Sequence, residues 1–388
     1  MAILNGEQKA HGLAGEREQP DWPPLTLPEV DALLRRYPQA GGAIRIASAS
    51  PRPFSSASVV EAENDSVFVK RHARSVRNRA GLFEEHRFIA HLSAKLPNLV
   101  QSVLADREGE TAICLGEWTY EVHPVACGLD DYEDALSWTP FRSCGHASAA
   151  GQALAKLHQA AESYEAPARS FGQLISSYSI FAGDNPEAAM ETYLKKRPKL
   201  LEYTEQRHWR TSLNALLIPF YRRLQPWLGH LRPLWTHNDF HASNLTWSGA
   251  ESSAEVAGII DFGLSDRTNA VHDLATAIER NIVEWLRMDE SGAQIIHLDH
   301  LDALLDGYAE LAPLSYEQAR ALAAMLPIVH CEFALSETDY FLTILNSPEK
   351  AYLAYEGYFL GHAQWFLGEQ GQTLLHHLEE RAERSRRR

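Results

Sequence analysis

The sequence predicts an α+β protein with two lobes, a small β-rich N-terminal lobe and a larger, mainly helical C-terminal lobe. At 388 residues the chain is longer than one small domain requires. Strand-type alternation and turn residues dominate as far as residue 127, whereas apolar residues at helical spacing dominate after Ser137. We therefore expect a flexible arm over residues 1–25, an N-lobe over residues 26–127 and a C-lobe over residues 128–388.

The N-lobe is expected to open with a short helix and to continue as strands. The segment PEVDALLRRY has Pro28 at its start and apolar side chains at helical spacing, so it predicts a helix. GGAIRIAS and DSVFVKRH have strand-type patterns, and the second of them places Lys70 near the end of its strand. Between these strands lies a serine-rich loop, SPRPFSSAS, within residues 47–58.

A longer helix is predicted over roughly residues 75–96. The apolar side chains that define its packed stripe are Leu82, Ile89, Leu92 and Leu96, at alternating spacings of three and four once Glu85 is included. Glu85 therefore lies on the packed face, and a buried carboxylate needs a cation. Lys70 on the preceding strand is the expected partner, although Glu84, which falls off the stripe, could pair with it instead.

The remaining elements divide the chain near its first third. TAICLGEWTYEVHPVACG predicts two strands around a Gly-Glu turn, which complete the N-lobe. The segments HASAAGQALAKLHQA, EAAMETYLKK and SLNALLIPFYRRLQPWL then have helical patterns. A group of strands is expected between Leu234 and Gly263, and helices follow from Val271 to the end.

A dense polar segment, HNDFHASN, lies in a loop between two of these later strands, and IIDFG follows it at the end of a third. This arrangement brings Asp239, Asn244 and Asp261 to one end of adjacent strands. Phosphoryl transfer requires such a set, because one carboxylate must orient the attacking hydroxyl and oxygen ligands must hold Mg²⁺ on the phosphates. The sequence thus predicts Asp239 as the catalytic base and Asn244 and Asp261 as metal ligands. It also predicts that Lys70 binds the ATP phosphates while Glu85 holds Lys70.

These motifs resemble those of the aminoglycoside phosphotransferase and choline kinase superfamily, which has a protein-kinase-like fold. HNDFHASN stands where that family has its His-Gly-Asp-x-x-x-x-Asn loop, and IIDFG stands at its second metal aspartate. VHDLA, with Asp273, and LAKLH match two further segments. The resemblance covers roughly residues 30–365 and is nearest to small-molecule kinases such as type II homoserine kinase. It implies ATP and Mg²⁺ as cofactors and a bilobal kinase-like fold.

The sequence departs from the family pattern in two places. Asn238 replaces the usual glycine of the polar loop, which a left-handed backbone can accommodate because asparagine tolerates that conformation. No Gly-x-Gly-x-x-Gly loop is present, and SPRPFSSAS occupies its place. How this serine-rich loop covers the phosphates cannot be deduced from the sequence.

Two alternatives to a kinase remain open. The chain could be a pseudokinase-type module that binds nucleotide and regulates without catalysis, although the complete set of polar residues argues against this. His237, Asp239 and His241 could instead bind Zn²⁺ in a hydrolase, because alternate residues of a strand project to one side. His237 could equally organise the loop, Asp273 could hold it, and Glu279 with Arg280 could be helix-surface charges or face the acceptor.

Composition limits the class of partner. The net charge of −15 argues against a nucleic-acid-binding surface, which needs clustered basic residues. The sequence shows no signal peptide and no apolar run of roughly 18 residues, so we expect a cytoplasmic protein without a membrane partner. The expected partner is a small-molecule hydroxyl acceptor. The acidic segment GLDDYED could attract a cationic acceptor or could be a solvated loop, and the sequence does not indicate the oligomeric state.

Overall fold

The computed structural model describes residues 20–50, 52–170, 173–288, 290 and 292–386. Most of the arm predicted over residues 1–25 lies outside these residues. Its described end is held against the C-terminal part of the chain, because the Asp21 carboxylate accepts hydrogen bonds from the Tyr340 hydroxyl at 2.9 Å and from Lys350 Nζ at 3.3 Å.

The N-terminal part is an antiparallel five-stranded sheet with strand order β1-β2-β3-β5-β4 and two helices. Val60, Val69 and Val122 from three of its strands are buried against Val30 and Leu33 of the first helix, which forms a small separate core. The elements of this part, in chain order, are α1 Leu27–Leu34, β1 Ala43–Ala49, β2 Ser56–Ala62, β3 Val67–Ala73, α2 Arg79–Lys95, β4 Ile113–Leu115 and β5 Trp118–Pro124.

Helix α2 forms where the apolar stripe predicts it, although it begins at Arg79 rather than near Ser75. Asn78 caps it, since its side-chain oxygen accepts a hydrogen bond from the Gly81 N–H at 2.8 Å. Glu85 is buried on the packed face, as the spacing predicts.

The C-terminal part is mainly helical around one large core. Its elements are α3 Cys144–Ala161, α4 Pro186–Lys195, α5 Pro198–Glu205, α6 Trp209–Ser212, α7 Ile218–Leu224, β6 Pro233–Thr236, β7 Leu245–Trp247, β8 Val256–Ile259, β9 Asp266–Asn269, α8 Ala270–Asn281, α9 Leu298–Leu311, α10 Tyr316–Met325, α11 Cys331–Thr343, α12 Pro348–Tyr352, α13 Gly361–Trp365 and α14 Glu369–Arg386. The predicted α+β fold class is thereby confirmed.

Two short hairpin-like sheets position the polar loop. Strands β7 and β8 pair as predicted, but β6 pairs with β9, a strand that the sequence pattern did not indicate. The sequence of β9, DRTN, contains no apolar residue that could alternate, and the side chains of Asp266, Thr268 and Asn269 are buried among polar partners instead. The β6–β9 and β7–β8 pairs place the ends of β6 and β8 side by side.

Helices α3 and α9 are held at close approach by two glycines. A side chain at Gly151 would collide with the Leu304 carbonyl oxygen, and one at Gly307 would collide with the Ser148 carbonyl oxygen. The two backbones therefore pack closely enough that only glycine fits at these positions.

One stretch, Tyr316–Thr343, is long and apolar enough to span a membrane, with a mean hydropathy of 1.3 in its most apolar window. Of that window, 89% is buried within the protein, which is the pattern of a core helix.

Candidate active site

A cleft between the β-rich part and the helical part contains four of the five predicted site residues. Lys70 enters it from β3, Asp239 and Asn244 from the loop after β6, and Asp261 from the end of β8. The cavity has a volume of about 220 Å³. The fifth predicted residue, Glu85, is not among the side chains that line it.

The Asp273 carboxylate, in the first turn of α8, holds the polar loop in place. This carboxylate accepts hydrogen bonds from the backbone N–H groups of His237 at 2.9 Å and Asn238 at 2.7 Å. His158 of α3 donates a third, through Nε2, at 3.0 Å. The role suggested for Asp273 from the sequence, to hold this loop, agrees with this geometry, and His158 is the histidine of the LAKLH segment.

Asn238 adopts the left-handed backbone conformation that its replacement of glycine suggests, with φ of 61°. Its side chain also fixes the loop, since its oxygen accepts from the hydroxyls of Thr236 at 2.8 Å and Thr268 at 3.1 Å. Its nitrogen donates to the carbonyls of Ser176 and Leu264, both at 3.2 Å. A glycine could supply the backbone conformation but none of these four bonds.

Asp239 projects into the cleft, where Arg280 and His241 are its nearest basic side chains. Its Oδ1 lies 3.3 Å from Arg280 Nη2, and its Oδ2 lies 3.6 Å from His241 Nε2. Burial alone would raise the pKa of Asp239, but His241 and Arg280 together hold it below the ordinary value. The carboxylate is thus ionised, as a group that accepts a proton must be before it acts.

Asn244 and Asp261 have oxygens that fit a hard cation. The Asn244 side-chain nitrogen donates to the Asp239 backbone oxygen at 3.0 Å and to Asp239 Oδ2 at 3.2 Å, so its amide oxygen is the atom that could ligate a metal ion. Asp261 has a left-handed backbone, φ 56°, and an exposed fraction of 38% for its side chain. One amide oxygen and one carboxylate suit Mg²⁺, which prefers few protein oxygens together with phosphate and water.

Lys70 forms a salt bridge with Asp261, with 2.8 Å between Nζ and Oδ1. Burial lowers the pKa of Lys70, but Asp261 and then Glu121 outweigh burial and raise it. Burial likewise raises the pKa of Asp261, while Lys70 lowers it. Both groups are therefore charged, and the strand lysine lies directly at the predicted metal ligand.

The expected pairing of Glu85 with Lys70 is not formed among the residues that the structure describes. Glu85 instead lies 3.3 Å from Arg169 Nη2, and Glu84 accepts a hydrogen bond from the Ser170 hydroxyl at 2.7 Å. The reason is that a second buried cation is available, from a segment 84 residues further along the chain. Glu85 still contributes to the raised pKa of Lys70, at longer range.

Arg169 and Arg77 hold the segment that follows Asp261, and neither was singled out in the sequence. Each donates to the Gly263 carbonyl oxygen at 2.8 Å. Arg169 also donates to the Gly81 carbonyl of α2 at 3.0 Å. Glu85, through its contact with Arg169, therefore helps to join α2 to this loop.

A carboxylate opposite Lys70 was also missed. Glu121 of β5 pairs with Lys70 in the β3–β5 register. It accepts hydrogen bonds from His72 at 2.8 Å, His86 at 2.9 Å and His123 at 3.0 Å. Burial raises the pKa of Glu121, but these histidines hold it well below its usual range. In the sequence, the alternation of β5 places Glu121 on the same face as His123. This pattern could be interpreted only with the β3–β5 register, which sets Glu121 opposite Lys70.

Arg280 faces the cleft rather than solvent, which decides between the two interpretations of this helix. It is 4% exposed and lies over the rings of Trp138 at 4.7 Å and Phe333 at 5.1 Å. It is also 3.5 Å from Glu279 and 3.3 Å from Asp239. The guanidinium is therefore fixed beside the predicted catalytic base.

The zinc alternative does not fit the position of His237. Its Nδ1 accepts from the Asp239 backbone N–H at 3.2 Å, and its Nε2 donates to the Ile260 carbonyl at 2.9 Å. Both ring nitrogens are thus used within the loop, so this histidine has no lone pair to offer a metal ion.

Fold and cleft together define the class of a kinase-like small-molecule phosphotransferase. The model of the phosphotransferase enzyme family matches residues 51–314. Since this is more than half of the chain, the protein belongs to that family, which confirms the superfamily and the enzyme class expected from the sequence motifs. No curated protein matches the sequence.

Solved structures with the same fold cover nearly the whole chain. An aminoglycoside phosphotransferase from Alicyclobacillus acidocaldarius subsp. acidocaldarius DSM 446 is 13% identical with a TM-score of 0.54, covering 94% of this chain and 98% of that one. A microcompartment-associated aminopropanol kinase is 14% identical with a TM-score of 0.56, covering 89% and 99%. A spectinomycin phosphotransferase, solved with ADP and spectinomycin, is 13% identical with a TM-score of 0.51, covering 88% and 98%. At identities this low, the similarity to these structures shows the shared fold and nothing more.

Proposed function

We propose that this protein is an ATP- and Mg²⁺-dependent kinase that moves the γ-phosphate of ATP to a hydroxyl group of a small molecule. One observation carries the proposal: Lys70, Asp239, Asn244 and Asp261 line a single cleft. The spectinomycin phosphotransferase with ADP, which has the same fold, supports a nucleotide as the donor. The residue roles remain those predicted from the sequence, except that Arg169 rather than Lys70 pairs with Glu85.

Asp239 orients the acceptor hydroxyl and takes its proton as the oxygen attacks the γ-phosphorus. The bond between that phosphorus and the bridging oxygen breaks, and ADP leaves. Lys70 holds the phosphates of the donor. Mg²⁺, held by Asn244 and Asp261, would neutralise charge on the phosphates when bound. Arg280 keeps Asp239 ionised and in place, because it is buried against that carboxylate.

We propose a small acceptor that carries a hydroxyl and a cationic group. Asp239 and Glu337 are carboxylates among the side chains that line the cleft, and carboxylates attract an ammonium group. Arg280, which lies against Asp239 and over the ring of Trp138, offsets part of this negative charge. In the acidic segment, Asp131 is paired with Arg142 at 2.7 Å. Burial and Glu133 raise the pKa of Asp130. This segment thus attracts cations less than its composition suggests.

We further propose that residues 26–127 and 128–388 form the two lobes, and that the protein is cytoplasmic with neither nucleic acid nor membrane as partner. The net charge of −15 supports the absence of a nucleic-acid partner. A pseudokinase-type module is the second candidate. The position of Asp239 in one cleft with Lys70, Asn244 and Asp261 favours catalysis over that alternative, because a module that only binds nucleotide needs no base at this position.

An ATP-consumption screen tests the proposal. Amino alcohols, hydroxy amino acids, sugars and aminoglycosides would be supplied with ATP and Mg²⁺. With an acceptor identified, Asp239→Asn is expected to lower kcat by roughly 10²–10⁴-fold, the usual contribution of a general base. Nucleotide binding, measured by calorimetry, should persist in this variant and should depend on Mg²⁺. Turnover by the variant at the wild-type rate would refute the role of Asp239, and metal-independent nucleotide binding without any turnover would favour the pseudokinase.

A further inference from the structure

Arg52 lies where a glycine-rich loop would cover the phosphates of a nucleotide. It belongs to the loop between β1 and β2 and lines the same cleft as Lys70, Asp239 and Asp261. The serine-rich segment around it contains no glycine, so it cannot approach a phosphate as closely through its backbone as glycines can. A side chain must then make the contacts that glycine N–H groups would make.

The loop that carries Arg52 is fixed at its base and through the side chain of Phe54. Ser50 donates its backbone N–H to the Ala57 carbonyl at 2.8 Å, which closes the loop at its base. Phe54 packs its ring edge-on against Tyr340 of α11, with 5.3 Å between the ring centroids, and also contacts Phe341 at 6.4 Å. Arg52 therefore projects into the cleft from a loop that is anchored to the helical part of the protein.

From this loop Arg52 reaches the segment that contains the predicted catalytic base. Its Nη2 donates to the Ser243 hydroxyl at 2.6 Å. Ser243 Oγ lies 2.9 Å from His241 Nδ1, and His241 Nε2 lies 3.6 Å from Asp239 Oδ2. The guanidinium also donates to the Ser137 hydroxyl at 3.3 Å. A chain of polar contacts thus joins the loop over the cleft to Asp239.

We propose that Arg52 binds the γ-phosphate of the donor nucleotide, an assignment that rests on the proposed function. A phosphate oxygen is a stronger acceptor for a guanidinium than the hydroxyls of Ser243 and Ser137 are. In phosphoryl transfer, a cation at this position offsets the charge on the transferred group. Arg52 supplies that cation from within the chain and replaces the glycine-rich loop.

The experiment compares nucleotides that differ in their number of phosphates. Binding of AMP, ADP and a non-hydrolysable ATP analogue, all with Mg²⁺, would be measured by calorimetry on wild type, Arg52→Ala and Arg52→Lys. Arg45→Ala is the matched control, because Arg45 lies on β1 with 60% of its side chain exposed. A thermal unfolding curve for each variant would verify that it is folded.

We expect Arg52→Ala to weaken binding of the ATP analogue by roughly 10- to 100-fold, the effect of losing a hydrogen bond between charged groups. Binding of AMP should be unchanged, and Arg52→Lys should be intermediate because lysine keeps the charge but loses the fork. An equal loss for all three nucleotides, or no loss for the analogue, would overturn the assignment to the γ-phosphate. Absence of nucleotide binding by the wild type would instead refute the proposed function itself.

Discussion

Replacing Asp273 by asparagine tests how the predicted catalytic loop is held. The carboxylate is fully buried and accepts three hydrogen bonds, from the N–H groups of His237 and Asn238 and from His158. An asparagine has the same shape but only one acceptor oxygen. At least one donor would then face the NH₂ group, in a place that water does not reach.

The magnitude follows from these contacts. A hydrogen bond to an ionised group contributes about 1.5–3 kcal/mol, and a buried donor left without a partner costs about 1–3 kcal/mol. Since the two estimates describe overlapping losses, we expect Asp273→Asn to lower the free energy of unfolding by about 2–4 kcal/mol rather than by their sum.

Urea unfolding at pH 7 is the measurement, with Asp306→Asn as the matched control. Asp306 makes the same change at a position whose side chain is 68% exposed, and it should alter stability by less than about 1 kcal/mol. If Asp273→Asn falls within the same limit as the control, the three hydrogen bonds do not hold the loop as argued, and the reasoning fails.

The effect should also depend on pH. Burial raises the pKa of Asp273, but the hydrogen bond from His158 and neighbouring groups lower it below the ordinary value of 3.8. A carboxylate with a lowered pKa in the folded state stabilises the protein above its unfolded pKa, and this contribution is lost as pH falls. The difference between wild type and Asp273→Asn should therefore be complete at neutral pH and shrink below about pH 4.

Three further changes test other parts of the account. Asn238→Ala should be less stable than Asn238→Gly by about 1 kcal/mol, because alanine adds left-handed strain to the same lost hydrogen bonds; equal urea midpoints would contradict this. Gly151→Ala should lower the free energy of unfolding by at least about 1–3 kcal/mol, because the added methyl group would disturb the α3–α9 contact. In the control Gly183→Ala the added methyl group meets no atom within 4 Å, so the free energy of unfolding should change by less than about 1 kcal/mol. Similar melting temperatures for the two variants would refute the close approach of the helices. Glu85→Gln should lower the free energy of unfolding by about 1–3 kcal/mol, because it weakens the contact with Arg169. Nucleotide affinity should stay within roughly twofold, because Lys70 pairs with Asp261. Unchanged stability together with a large loss of affinity, measured by unfolding and calorimetry, would instead support a Lys70–Glu85 pair.

Local sequence patterns predicted most of the fold because they depend on neighbours along the chain. The stripe of α2 and the alternation of β3 are such patterns. Strand β9 was not predicted because its sequence, DRTN, is polar throughout. The side chains of Asp266, Thr268 and Asn269 are buried through hydrogen bonds rather than apolar packing. Periodicity of apolar residues has nothing to detect in such a strand.

Spacing also brought the polar residues of the cleft together, but it did not identify their partners. Lys70 precedes Glu85 by one strand-to-helix connection, which made that pair the natural choice. The partner that forms, Arg169, comes from a segment without a motif, and only the packing of α2 against the loop after Asp261 places it there. Choice among cations for a buried carboxylate is a long-range property, so local spacing cannot decide it.

Arg280 shows the same limit within a single helix. A sequence indicates a surface charge when polar residues recur on one face of a helix. In α8, however, every residue from Val271 to Asn281 is buried. Polar and apolar residues of α8 do segregate to opposite faces, as they do in a half-exposed helix, so periodicity alone suggests a solvated arginine at this position. What distinguishes Arg280 is its surroundings: the rings of Trp138 and Phe333, over which it lies, and the Asp239 carboxylate beside it. These groups come from three separate segments, so a buried arginine beside the predicted catalytic base becomes apparent only when the tertiary contacts are known.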